Sequence, residues 1–384
     1  MKVKLNQPKL GLYVHWPYCA RICPYCDFNV RRDRGQDNDF LVDAIIADIR
    51  GWRKRIDPVP TLSSLSLGGG TPSLLHPRQM HRIIQAAEKN FGFLPDIEIS
   101  LEANPTDFEA VKYADFAAAG VNRLSLGIQS LDNQQLEFLG RDHTVAEALL
   151  ALEKARKQFT SVSADFIYGL PQQAVVKWQE QLKEILALGL QHLSLYCLSI
   201  EPKTMFFKQY ERGQLVPTDD DKVADLYELT QNMTAKIGYT AYETSNHTMG
   251  DENRSKHNLL YWQGDDWIGV GPGAHARACI DGSRHELASY RQVQNYADAV
   301  QKNGWGVELC EKLSPADDLA ERLLLGLRLA DGIDLSKMQV RAGHEIDQKR
   351  LKNSTKTGLV SIQKGKLKAS IPLLVDRIGA ELLL

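Results

Sequence analysis

Short β-rich runs alternate with helix-patterned stretches through the first 250 residues, and that alternation restricts the chain to a parallel sheet with crossover helices. The β-rich runs are Leu12–Trp16, Leu62–Leu67, Ile97–Leu101, Arg123–Ile128, Val162–Ile167 and Leu193–Leu198. Apolar residues recur at helical spacing between them, in Phe40–Trp52, His81–Phe91, Phe108–Ala119, Val145–Phe159 and Val176–Leu188. Units of this number and spacing predict an α/β fold, a partial TIM-like (β/α)6 barrel. A doubly wound open sheet is the alternative, and periodicity alone does not separate the two.

The pattern changes after residue 200. Asp219–Ile237 reads as a helix, Tyr239–Ser245 as a further strand, and a Gly-rich, Trp-containing stretch runs from Tyr261 to Ala276. Ser314 followed by Pro315 reads as an N-cap with proline in the first helical position, ahead of a helix over Leu319–Leu329. Leu359–Ile362 and Leu367–Ile371 flank a turn at Lys364-Gly365, which predicts a hairpin. The expected organisation is a partial barrel over 1–250, a connecting region over 251–312, and a small, mainly helical, winged-helix-like C-terminal domain over 313–384.

Hydrophobic residues make up 43% of the 384, enough for a sizeable core without a disulfide or metal staple. The formal net charge is −2, with lysine and arginine scattered, so nothing in the charge pattern points to nucleic acid. The opening stretch MKVKLNQPKLGLYVHWPYC has no apolar core and no small-residue cleavage pattern, and no run reaches the length of a membrane span. A cytoplasmic protein is expected. Three of the six cysteines crowd into eight residues, while Cys197, Cys279 and Cys310 stand alone. Clustered thiols in a reducing compartment point to a metal.

That cluster, Cys19-Ala20-Arg21-Ile22-Cys23-Pro24-Tyr25-Cys26, follows the first strand and precedes a helix. Three thiolates in one short loop can hold three corners of a 4Fe–4S cubane and leave the fourth iron open to a small ligand. A zinc site with His15 as fourth ligand is the competing reading of the spacing. Gly68-Gly69-Gly70-Thr71-Pro72 ends the second strand, where glycines allow close backbone approach to a ligand or simply make a turn. Glu102, Gln129, Arg141 and Asp165 fall where later strands end, the rim that carries active-site groups in barrel-like α/β proteins. Carboxylates there suit ribose hydroxyls, and an arginine suits a ligand carboxylate.

The cysteine spacing, with the phrases GLYVHWPYC, SLGGGTPS, EANP, RLSLGIQS and DFIYGLP, resembles the radical-SAM superfamily. From Tyr13 to the C-terminal domain, the chain resembles the branch that contains the oxygen-independent coproporphyrinogen III oxidases and the haem chaperones. The resemblance implies a 4Fe–4S cluster on Cys19, Cys23 and Cys26. It implies S-adenosylmethionine (SAM) chelated to the open iron and cleaved by the reduced cluster to a 5′-deoxyadenosyl radical. It further implies that Tyr13 lies near the methionyl end of SAM, and that Gly69, Gly70, Thr71, Glu102, Gln129, Arg141 and Asp165 contact it.

Three features favour the chaperones within that branch. Phe28 stands where the oxidases carry a fourth cysteine. Only 18 residues precede Cys19, where the oxidases have a long extension. His257-Asn258-Leu259-Leu260-Tyr261-Trp262 matches an HNxxYW motif whose histidine is implicated in haem binding in the chaperones. Neutral imidazole is a standard axial haem ligand, and Tyr261 and Trp262 can pack on a porphyrin; a packed, hydrogen-bonded histidine is the bland reading. His247 and His275 are weaker candidates. The oxidases place a second SAM near the residue matching His275, but GVGPGAHA departs from their pattern. The implied function is therefore transfer of haem to apo-haemoproteins, with membrane respiratory cytochromes as clients, peripheral membrane contact during delivery, and the cluster and SAM organising or gating transfer through homodimerisation. The alternative is radical decarboxylation of coproporphyrinogen III or another radical reaction on a tetrapyrrole.

Overall fold

Six parallel strands hydrogen-bond in sequence order at the centre of the structure, a computed structural model that describes residues 9–35 and 38–383. Residues 1–8 of the opening stretch lie outside the described residues. The strands are β1 (Leu10–Trp16), β2 (Leu62–Gly69), β3 (Phe93–Ala103), β4 (Arg123–Gln129), β5 (Ser161–Tyr168) and β6 (His192–Cys197). Among these six the order never reverses, unlike the two halves that diverge from a switch point in a doubly wound sheet. The fold is the α/β partial barrel, with its sheet left open. Every residue of β2 is buried, as expected for parallel strands covered on both faces.

Helices α1 (Asp39–Arg53), α2 (Pro77–Phe91), α3 (Val145–Gln158) and α4 (Val175–Ala187) return the chain between strands, and two short helices, Asp107–Ala110 and Tyr113–Ala118, follow β3. Local chemistry sets the helix ends. α2 starts on a capping box between His76 and Gln79 with Pro77 in the first turn, and α3 on one between Thr144 and Glu147.

The sheet grows at both edges. Beyond β6, after helix α5 (Asp220–Lys236), lie antiparallel β7 (Asn246–Thr248) and a two-residue strand, Thr240–Ala241. The sequence predicts one strand over Tyr239–Ser245. The structure instead breaks it at Glu243, whose carboxylate accepts from the backbone N–H groups of Ser245 and Asn246 and so turns the chain. Helix α6 (Lys256–Trp262) leads to β8 (Asp266–Val270), which pairs parallel to β1 on its free side. Antiparallel β9 (His275–Ile280), β10 (Ser283–Ser289) and β11 (Val307–Lys312) extend that edge, with α7 (Val293–Asn303) packed against α1.

α6 closes the barrel at the N-terminal ends of the strands. The Glu98 carboxylate accepts from Ser255 Oγ (3.2 Å) and from the N–H groups of Lys256 (3.1 Å) and His257 (3.0 Å), and pairs with Arg123 at 3.6 Å. This places a carboxylate at the positive end of the helix dipole.

Ser314 caps α8 (Pro315–Gly326), accepting from Asp317 N. Helices α9 (Leu335–Ala342), α10 (Gln348–Lys356) and α11 (Val375–Leu383) follow, around a three-stranded antiparallel sheet of β12 (Ile333–Asp334), β13 (Val360–Gln363) and β14 (Lys366–Ala369). Lys364 and Gly365 both have positive φ, 52° and 78°, as a two-residue hairpin with native twist requires. Leu319, Leu323, Leu367, Ile378 and Leu382 belong to a second apolar cluster. The buried pair Arg284–Asp318 (2.7 Å) and the half-buried pair Arg277–Glu321 (2.6 Å) clasp this unit to the sheet, and Arg322, paired with Asp318 within α8 (2.9 Å), donates to Gly264 O. Among the described residues, no helix is long and apolar enough to cross a membrane.

Candidate cofactor site

The cysteine loop leaves the C-terminal end of β1 and is tied down by its own backbone. Arg31 N donates to Pro17 O and Asp33 N to Cys19 O, both at 2.7 Å, and Cys26 N donates to Cys23 O at 3.2 Å. Cys19, Cys23 and Cys26 are free thiols that line one cavity of about 410 Å³ at the strands' C-terminal rim. Gly69, Gly70, Thr71, Glu102, Gln129, Arg141 and Asp165 line the same cavity.

The glycines there serve close approach. Gly69 has φ 100°, and a Cβ on it would lie 2.5 Å from the His15 ring; one on Gly70 would lie 2.7 Å from Tyr18 O. With that space free, Gly70 N donates to Trp16 O (2.6 Å) and Thr71 N to Tyr18 O (2.8 Å), which seats the end of β2 against the cysteine loop. The end of β4 uses a bulge. Its register against β5 shifts between Leu126 and Gln129, Gln129 takes φ 71°, and its amide folds over Gly127, where a Cβ would lie 2.8 Å away. Such bulges re-aim side chains beside active sites.

Arg141 joins these parts. Its Nη1 donates to Cys23 Sγ at 3.2 Å, and its Nη2 donates to Gly127 O at 3.0 Å and to Asn104 Oδ1, while Nε is buried without a partner. Glu102 is exposed to the cavity, whose walls surround it with protein. That desolvation, followed by the Asp165 charge, pushes its carboxyl up to about 7, against the hydrogen bond from Gly69 N. Asp165 is also raised by desolvation, opposed by hydrogen bonds from Ser194 and Ser125. Burial pushes the Cys19 thiol up to about 12 and the Cys26 thiol to about 11. Iron held by these sulfurs would invert that balance, because a coordinating thiol is deprotonated outright.

The residues fit a thiolate-bound cluster with a polar cationic ligand beside it. Three sulfurs form a soft donor set. Glu102 and Asp165 face the cavity together, and the unpartnered Nε of Arg141 adds donor capacity. The zinc arrangement does not match. His15 Nδ1 is bonded to Tyr13 Oη (3.1 Å) and Nε2 to Asn29 O (3.0 Å), which leaves neither nitrogen for a metal. No three His, Cys, Asp or Glu side chains among the described residues gather around a single ion.

Tyr13 and His257 do not line the cysteine cavity. Tyr13 lines a second cavity of about 440 Å³, with His15, Phe28, Tyr261, Trp267 and His275 among its other walls. His257 is buried in the first turn of α6. Its Nδ1 is bonded to Ser64 Oγ (2.8 Å) and its Nε2 to Tyr261 Oη (2.7 Å), and burial pulls its pKa down to about 3. His247 is buried on β7 and bonded to Ser245 O, whereas His275 is exposed. Asn104, Ser125 and Tyr196 line the cysteine cavity and were not singled out from the sequence. A signal existed for two of them. Residues 102 and 104, and 125, 127 and 129, alternate at strand ends and so share a face.

The radical-SAM superfamily model matches residues 13–189, and the HemN C-terminal domain model matches residues 313–370. The chain is similar to the mitochondrial radical S-adenosyl methionine domain-containing protein 1 of Mus musculus, at 37% identity over 85% of this chain and 74% of that protein. It is similar to the heme chaperone HemW of Bacillus subtilis, at 31% identity over 87% of each. Among solved structures, the Escherichia coli coproporphyrinogen III oxidase HemN, described as a radical SAM enzyme, superposes with a TM-score of 0.80 at 24% identity, covering 99% of this chain and 91% of that one.

Proposed function

The chain belongs to the radical-SAM superfamily, in the branch of the HemW and HemN proteins, and from that premise we propose that it is a haem chaperone, binding haem and passing it to apo-haemoproteins. The observation that carries the cofactor half of this reading is the convergence of Cys19, Cys23, Cys26, Glu102, Asp165 and Arg141 on a single cavity. The likeness to a haem chaperone over 87% of each chain supports the cargo half.

In this reading Cys19, Cys23 and Cys26 hold three irons of a 4Fe–4S cluster. Gly69, Gly70 and Thr71 take the amino end of SAM, Glu102 and Asp165 its ribose hydroxyls, and Arg141 its carboxylate, with Gln129 closing the side. A reduced cluster supplies one electron to SAM bound in this way. Tyr13 acts one step back, by fixing His15, against which Gly69 packs. For His257 to take haem iron, its Nε2 must leave Tyr261. The separate apolar cluster and the caps of α8 to α10 support treating 313–384 as a small winged-helix-like unit, with 251–312 joining it to the barrel of 1–250. Delivery to membrane respiratory cytochromes, by transient contact from the cytoplasm, belongs to the same proposal.

The test is an anaerobic assay of reconstituted protein with SAM, a low-potential reductant and coproporphyrinogen III, beside transfer of bound haem to an apocytochrome. We expect haem transfer and no porphyrin conversion. Stoichiometric protoporphyrinogen would make the chain an oxidase and overturn the proposal.

A further inference from the structure

The second cavity differs from the first in kind. The rings of Phe28, Tyr261, Trp262 and Trp267 line it, with Leu325 beside them. Tyr261 and Trp267 meet edge to face, 4.7 Å between centroids, which makes a firm wall. Phe28 is 59% exposed, a large apolar ring left open to solvent. A volume of about 440 Å³ falls within the range that takes cofactor-sized molecules, about 300–1,000 Å³. Such walls suit a flat, conjugated, largely apolar ligand.

The polar groups at this cavity narrow the ligand further. It has two imidazoles, His15 and His275. Both nitrogens of His15 are bonded within the protein, but the exposed ring of His275 makes no hydrogen bond among the described residues. An imidazole with no hydrogen bond of its own, facing an aromatic-walled cavity, is a ready metal ligand. Arg291 is exposed at the same cavity, a fork for a carboxylate. A flat aromatic ligand with a metal for the imidazole and a carboxylate for the arginine is an iron porphyrin.

We infer that the second cavity is the haem site, with the macrocycle against Phe28, Trp262 and Trp267, His275 on the iron and Arg291 on a propionate. The inference rests on the haem-chaperone reading and moves the ligand from His257 to His275. His257 becomes a positioning residue, holding Tyr261 in the wall through its Nε2. Asp27 and Phe28 line both cavities, so the porphyrin edge borders the loop that carries the cysteines.

The experiment is a haemin titration of the full, cluster-reconstituted chain, followed by Soret and ligand-field absorbance. His275→Ala should lose the histidine-ligated spectrum and bind haemin about ten-fold or more weakly, and Arg291→Gln should bind more weakly with the ligand spectrum unchanged. Cluster absorbance should persist in both, showing intact protein. His257→Gln should keep the histidine-ligated spectrum, with weaker binding. Loss of that spectrum in His257→Gln but not in His275→Ala would overturn the inference and leave the chaperone reading standing. So would displacement of haemin by excess SAM at two equivalents per chain. A wild-type chain that binds no haemin would overturn the chaperone reading itself.

Discussion

The guanidinium of Arg141 donates to the Sγ of Cys23 at 3.2 Å, so the turn that leads into α3 is anchored on the cysteine loop. The same side chain reaches Gly127 O and Asn104, a three-way grip that depends on a planar fork. Arg141→Lys should still take up about four irons per chain, because the thiols are untouched, but bind SAM about ten-fold or more weakly. Iron analysis and calorimetric SAM titration check this. Undiminished SAM affinity would remove Arg141 from the ligand shell.

Gln129 holds a left-handed φ of 71°, which costs a non-glycine residue about 1 kcal/mol or more. Gln129→Gly relieves that strain but removes the amide from the cavity. Thermal stability should be unchanged or raised by about 1 kcal/mol at most, while SAM affinity falls. Gln129→Ala should lose affinity without the relief. Equal affinity in all three proteins would show that the bulge serves folding alone.

Much of this site was legible before the fold was known, for reasons that particular residues illustrate. β2 and β5 stand out because large apolar residues recur among small serine, alanine and glycine residues over strand-length runs, and Cys19, Cys23 and Cys26 stand out because their spacing is local. Tyr13 and His257 were harder. Period-two alternation tells that Tyr13 faces away from Leu12 but not which cavity it meets, since that depends on β8 pairing beside β1 from more than 250 residues away. Likewise, the fate of His257 depends on Ser64 and on Glu98 at the helix end, contacts between distant segments with no local pattern.

Asp48 makes stability depend on pH. It is fully buried on α1, accepts from Tyr296 Oη (2.8 Å) and Gly306 N (3.1 Å), and burial pushes its carboxyl up to about 7 despite those bonds. Between the ordinary carboxylate value of about 3.9 and this raised value, the folded state holds a proton that the unfolded chain has lost. Its contribution to stability therefore falls as pH rises from about 4 to about 7 and stays unfavourable above. Asp48→Asn should melt above wild type at pH 8, by a margin on the order of 1–4 kcal/mol, and converge with it near pH 4. Melting curves that run parallel across that range would contradict the assignment.

The clasp on the C-terminal unit makes a different prediction. Asp318→Asn takes from Arg284 and Arg322 their shared carboxylate, while Arg284 keeps Asp266 and Glu321 at 3.4 Å and Arg322 keeps Gly264 O, so the loss should be about 1–3 kcal/mol. Hydrogen exchange over residues 315–383 should quicken while the cluster absorbance is kept. Unchanged protection there would mean the apolar contacts hold the unit alone.

Glu98 and Arg123 close one end of the barrel on partners drawn from the protein itself, whereas the other end leaves thiols, carboxylates and a guanidinium facing a cavity. Mutational damage should therefore sort by depth. In a random library screened for loss of the brown iron–sulfur colour, pale variants would fall into two kinds. Those altered near Glu98 would be pale because they unfold, and those altered around the cysteine cavity would be pale yet melt like the parent. Colour and melting temperature, read together on each colony, would map the two ends of the barrel without a further structure.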